Sequence, residues 1–163
     1  MKRLIILRHA KSSWDNEDVR DHDRTLNRRG EKSAVLIGEF LEAKQGKPDL
    51  IISSTALRAQ ETAKLVAEKM NYDKDKIVLN SELYLAWIND ILRVVSTTSN
   101  NIETCMIVGH NPGLTNLINH FGVRMDNLPT ASVVCFEFNT TSWDKISTDN
   151  AELKWYQLAR DLH

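Results

Sequence analysis

Two histidines and two arginines stand at positions where chemistry can be done. Arg8-His9 ends the apolar run Leu4-Ile5-Ile6-Leu7. Arg58 closes the block Ser53-Ser54-Thr55-Ala56-Leu57-Arg58, which follows Leu50-Ile51-Ile52. His110 lies in Gly109-His110-Asn111-Pro112, directly after Cys105-Met106-Ile107-Val108. Each short apolar run reads as a buried strand. Residues just past the carboxyl ends of parallel strands share one crevice, where open α/β sheets bind ligands. The planar fork of arginine suits phosphate oxygens, and several arginines can share one phosphoryl group. Histidine can attack as a nucleophile as well as move protons. An arginine field disfavours a further positive charge, so an imidazole placed there stays neutral. Together these residue types point to phosphoryl transfer onto a ring nitrogen.

Each piece alone has a plainer reading. Arg8-His9 could be a surface pair at a strand end, Arg58 an exposed helix residue, and His110 a capping or packing side chain. Placement after three separate strands is what favours a common site. Metal binding by His9 and His110 lacks a third ligand, because no carboxylate or histidine sits at a comparable strand end. No metal or other cofactor is therefore expected.

These residues need elements to hold them. Asn27 can cap a helix running to about Ala43, with Ala34, Ile37, Gly38 and Leu41 inward. Ser53, Ser54 and Thr55 are capping types before a second helix that reaches Met70. Ile77 to Leu79 reads as a short strand, and Trp87 to Val95 as a third helix. Asn111 suits the cap of a fourth helix, with Pro112 as its first residue. Val133 to Phe138 and Leu153 to Leu158 read as two final strands with no helix between them, able to pair antiparallel at one edge. Alternating strands and helices predict an α/β layered fold with a mostly parallel, mixed sheet. Lys11 to Thr25 shows little periodicity and reads as a long loop of the kind that often serves function.

The bulk numbers fit that picture. A chain of 163 residues suits one domain, taken here as 1–163, with 42% hydrophobic and 26% charged residues. The formal net charge of -1 gives no basic excess for nucleic acid. The apolar start is too short for a signal peptide and nothing later is long enough to span a membrane, so the cytoplasm is expected. Cys105 and Cys135 each lie inside an apolar run and read as buried free thiols.

The three blocks, taken in order, resemble the histidine phosphatase superfamily. That family opens with a strand and Arg-His-Gly; here Ala10 stands in place of the glycine. Its second block, of the form Ser-Ser-x-x-x-Arg-x-x-x-Thr-Ala, is similar to Ser53 through Ala63. The block Gly109-His110-Asn111-Pro112-Gly113 is similar to the one holding its second histidine. The Leu-Arg-His-Ala-Lys opening, and Asp23-Arg24-Thr25-Leu26 leading to Gly30, look most like the short SixA-type phosphohistidine phosphatases. The resemblance implies a phosphoglycerate mutase-like, three-layer α/β/α fold. It implies that His9 is phosphorylated during turnover, with Arg8, Arg58 and His110 around the phosphate and Arg24 reaching in from the loop. It also implies a phosphorylated substrate: phosphohistidine in a protein or a small phosphorylated molecule. A small-molecule phosphomonoesterase or mutase and a non-catalytic phosphate-binding module are the alternatives. Lys11 is a candidate substrate contact or a solvated lysine.

One departure matters. Many relatives carry a glutamate after the third strand as general acid, and no carboxylate stands at Tyr84-Leu85-Ala86. Glu82 and the loop acids Asp18, Asp21 and Asp23 are the remaining candidates. The stretch from Ala59 to Gly109 holds only minimal helices and strands, with no obvious lid, which leaves room for a phosphorylated side chain borne by another protein.

Overall fold

The computed structural model describes residues 1–15 and 18–163. Six strands form one sheet: β1 (Lys2–Arg8), β2 (Leu50–Ser53), β3 (Val78–Leu79), β4 (Thr104–Gly109), β5 (Val133–Phe138) and β6 (Ala151–Gln157). Four helices connect or flank them: α1 (Arg28–Lys44), α2 (Leu57–Lys69), α3 (Ile88–Ser96) and α4 (Gly113–His120). The strand order is β3-β2-β4-β1-β5-β6. The β3, β2, β4 and β1 neighbours run parallel, while β5 pairs antiparallel with both β1 and β6.

The strands alternate their side chains between two faces. Ile5, Leu7, Ile51, Met106 and Val108 pack with Ile37, Leu41, Ala63 and Val66 of α1 and α2. Leu4, Ile6, Ile52, Cys105 and Ile107 pack with Ile91, Val95, Leu114 and Leu117 of α3 and α4. Two buried clusters on opposite sheet faces make the α/β/α layering expected of the sequence. The central strands are apolar on both sides because both faces are covered.

Register places the chemistry. Arg8 pairs with Gly109 between β1 and β4, and Ser53 pairs with Val108 between β2 and β4. The chains then leave the sheet side by side: the His9 amide donates to the Gly109 carbonyl at 3.1 Å, and the Ser54 amide to the Val108 carbonyl at 2.9 Å. His9, Ser54 and His110 are thereby neighbours before any side chain is considered.

Four local expectations need correction. The α4 helix begins at Gly113, with Pro112 at its cap, and Asn111 Oδ1 instead accepts from the Thr115 amide and hydroxyl. None of Ser53, Ser54 and Thr55 caps α2, whose cap is Ala56; Ser54 and Thr55 turn to histidines instead. The last strand starts at Ala151, two residues earlier than its apolar pattern suggested, and its pairing shifts register between Cys135 and Phe136. The Lys11-to-Thr25 loop contains a 3-10 turn at Asp21–Asp23, and Ser12 bridges Leu26 across its base. Gly30 fixes that base: a Cβ there would lie 2.0 Å from the Lys11 carbonyl oxygen, so only glycine lets α1 approach this closely.

Candidate active site

His9 is 6% exposed, and its Nδ1 lies 2.7 Å from the Ala10 carbonyl oxygen. A carbonyl can only accept, so Nδ1 carries the proton and donates. Nε2 keeps its lone pair. The Ala10 amide is tied in turn to Thr62 Oγ1 of α2 at 2.9 Å, which anchors the backbone that sets the ring.

The ring of His110 stands 5.1 Å from that of His9, centroid to centroid. Arg58 Nη2 approaches His110 Nδ1 at 3.4 Å, and an arginine can only donate. His110 Nδ1 is then the acceptor, and Nε2–H donates to Ser54 Oγ at 2.7 Å. Ser54 Oγ also accepts from the Ala56 amide at 3.2 Å, so a serine read as a helix cap is chiefly the seat of the second histidine.

Both imidazoles are held neutral. Burial pushes the His9 pKa down to about 4; the Ala10 carbonyl opposes this, and Arg58, Arg8 and Arg24 add to it. His110 is pushed lower still, first by burial and then by His9 and Arg58, against a partial opposing pull from Asp21.

Three guanidiniums surround this pair. Arg8 Nη1 donates to the Leu128 carbonyl at 3.0 Å. Arg24 is nearly buried, with Nη1 on Ser12 Oγ at 2.8 Å and Nε on Asp21 Oδ1 at 3.2 Å. Arg58 is 3% exposed and donates to the Asp21 carbonyl at 2.7 Å and to Asp21 Oδ2 at 3.1 Å. The Nε atoms of Arg8 and Arg58 are buried and have no partner among the described residues. A buried guanidinium N–H left unpaired is costly, and an anion relieves it. Arg8, His9, Arg24, Arg58 and His110 all line one cavity of about 600 Å³. Lys11 lies on its exposed rim.

The candidate acids divide sharply. Glu82 and Asp18 do not line the cavity, which corrects both as expected acids. The Asn80-capped turn at Ser81–Leu83 carries Glu82 outward, where it faces Arg93 at 3.7 Å. Asp18 is exposed on the loop. Asp23 faces His22 at 3.6 Å and is likewise outside the cavity lining. Asp21 does line it. Burial raises its pKa, but the Tyr84 hydroxyl, Arg58 and Arg24 outweigh that and leave it at about 2. Tyr84 Oη donates to Asp21 Oδ2 at 2.5 Å, and its ring meets that of His110 edge-on at 5.5 Å. Tyr84 thus fills the place where the sequence lacked a carboxylate. Its role was not legible, because nothing in the spacing ties residue 84 to residue 21. Trp14 was also missed: its ring covers the Arg24 guanidinium at 3.5 Å. Among the described residues, no three His, Cys, Asp or Glu side chains group in a way that could hold a metal ion.

Known proteins resemble this chain in sequence and fold. Residues 4–83 match the model of the histidine phosphatase superfamily, branch 1. An uncharacterised chloroplast protein of Arabidopsis thaliana is 31% identical over 152 residues, covering 88% of this chain and 70% of its own length. Among solved structures, one assigned to a phosphohistidine phosphatase SixA of Agrobacterium tumefaciens superposes with a TM-score of 0.81 at 27% identity, over 96% of this chain and 97% of that one. A protein histidine phosphatase SixA complexed with tungstate superposes with a TM-score of 0.82, over 98% of each chain; at 16% identity that likeness speaks to the fold.

Proposed function

Because the chain belongs to the histidine phosphatase superfamily and is of the SixA type, we propose that it hydrolyses phosphohistidine on a protein through a covalent intermediate on His9. The observation that carries this reading is a neutral imidazole lining one cavity with three guanidiniums, two of which have a buried Nε–H without a partner among the described residues. His9 Nδ1 is pinned to the Ala10 carbonyl, and the buried Nε–H groups of Arg8 and Arg58 belong to side chains that line the same cavity.

The steps balance without a cofactor. His9 Nε2 attacks phosphorus in line, forming an N–P bond as the bond to the leaving nitrogen breaks. Arg8, Arg24 and Arg58 neutralise the equatorial oxygens, which is electrostatic and positional work. A bound phosphate dianion favours protonation of His110 against the burial and the neighbouring cations that keep it neutral, and a protonated His110 donates to the anion. Water then attacks the phosphorus of phospho-His9. The N–P bond breaks, Nε2 is restored, and inorganic phosphate leaves.

The acid inventory supports the nitrogen-linked substrate. An alkoxide leaving group needs a proton, and a positioned acid typically contributes ~10²–10⁴-fold. Asp21, at about 2, is ionised at neutral pH and has no proton to give. The Tyr84 hydroxyl is shifted upward by burial and by Asp21, and holds its proton. A phosphohistidine protonated on its other ring nitrogen expels neutral imidazole, whose conjugate acid has a pKa of about 6.5, and needs no such help. The two buried free thiols agree with a reducing compartment, and we place the reaction in the cytoplasm. No described helix is long and apolar enough to cross a membrane.

The test compares kcat/KM for a phosphohistidine peptide with that for alkyl phosphates. Phosphohistidine should be favoured by ~100-fold or more, the contribution an acid would have made. A preference for the alkyl esters would overturn the reading in favour of a small-molecule phosphomonoesterase.

A further inference from the structure

Resting on that reading, we infer that Trp14 and Leu85 form an apolar collar at the cavity mouth that selects phosphohistidine carried on a protein over small, strongly hydrated phosphates. Both side chains line the cavity, yet Trp14 is 74% and Leu85 51% exposed. Neither belongs to a buried core cluster of the described residues. The floor of the same cavity is made of arginines and histidines, and its exposed lining sets Trp14 and Leu85 among Lys11, Asp15 and Asp21.

Each side chain is held out by the fold. The Trp14 ring stacks over the guanidinium of Arg24, an anion-facing residue that is itself nearly buried. That contact fixes the indole over one wall of the site and shields Arg24 from water. Leu85 has φ +47, a left-handed conformation that a residue other than glycine adopts at a cost. Its neighbours impose it. Tyr84 is bound to Asp21 on one side, and Ala86 is buried on the other. The Ala86 carbonyl oxygen would lie 2.3 Å from a Cβ at Gly113, so this turn sits hard against the first residue of α4. The turn is clamped between the loop and the helix, and the strain projects a leucine into solvent.

Exposed apolar side chains beside a polar cavity mark what the ligand brings. An imidazole is flat and weakly hydrated, and can lie against an indole and a leucine while its phosphoryl group reaches the arginines. Protein surface around it covers the remaining apolar area. A sugar hydroxyl pressed against the same side chains loses its water without gaining a partner.

The experiment measures kcat/KM for the full chain on a histidine-phosphorylated protein domain and on phosphoramidate, which has no carbon group for the collar to hold. The readout is the ratio of the two. In Trp14→Ala and Leu85→Ala the ratio should fall ~10-fold, the low end of what apolar contacts give to discrimination. Trp14→Phe should keep most of it. Unchanged thermal melting and inhibition by inorganic phosphate show that the variants are folded with the anion site intact. A ratio within twofold of the original in both alanine variants would overturn the collar while leaving the phosphohistidine reading in place. A native chain that hydrolyses phosphoramidate but not the phosphorylated protein would remove that reading and the collar with it.

Discussion

At the residue scale the proposed chemistry depends on protonation. His9 presents a bare Nε2 only because Nδ1–H is committed to the Ala10 carbonyl, and only while the ring is neutral. Its folded pKa of about 4 lies below the ordinary 6.5. The unfolded chain therefore binds more protons at this site between those values, and stability falls as pH drops from about 6.5 to about 4. His110 is shifted in the same direction and adds to the effect. For His9 alone the loss approaches ~3 kcal/mol. Melting curves across this range should show the decline, and His9→Ala should flatten part of it; identical slopes in both proteins would contradict the assignment. Activity should also fall on the acid side as the nucleophile becomes protonated. His9→Ala should abolish turnover while the arginines still bind phosphate weakly, as read by phosphate titration. Substantial remaining activity would contradict the nucleophile.

At the element scale, close approaches of backbone carry the site. The loop bearing Ser12, Trp14, Asp21 and Arg24 is anchored where Lys11 meets Gly30 at the start of α1. The Asn27 amide donates to the Lys11 carbonyl at 3.1 Å, and Asn27 Oδ1 caps the Gly30 amide at 2.7 Å. Gly30→Ala should push the loop away from α1, costing ~1–3 kcal/mol of stability as overpacking does. Because Arg24 travels with the loop, phosphate affinity should weaken as well. A variant with unchanged melting and unchanged phosphate affinity would show that the loop is held elsewhere. Asn27 was legible as a cap because capping is a local signal, whereas Arg24 was expected at the site only from the family resemblance. The sequence did not show Tyr84 on Asp21 or Trp14 on Arg24. Those contacts depend on how two loops fold over one another, and no periodicity encodes that.

At the scale of the whole molecule, what was legible is what the strand ends dictate. Three apolar runs, each followed by polar residues of one chemistry, were enough to predict a parallel sheet with His9, Arg58 and His110 at one edge. The register Arg8 to Gly109 and Ser53 to Val108 makes the same arrangement in space. The layering followed from helices alternating with strands, and the antiparallel edge from two strands without a helix between them. Boundaries were less legible. The β6 strand is an edge strand with alternating exposure, so its start at Ala151 left little apolar signal. The acid was misjudged because proximity in sequence placed Glu82 near the site, while its turn directs it to Arg93. In the proposed reaction three arginines neutralise the phosphoryl oxygens, which leaves no step that a divalent cation must perform. Turnover should persist in excess chelator, and a chelator-sensitive rate restored by added metal would contradict that.

The phosphoenzyme itself is the most direct measurement. Rapid acid-free quenching of the chain during turnover of a phosphohistidine substrate, followed by mass-spectrometric mapping, should place one phosphoryl group on His9, bonded through Nε2. Phosphate on Nδ1 of that ring or on His110, or unimpaired hydrolysis with no covalent species, would contradict the account.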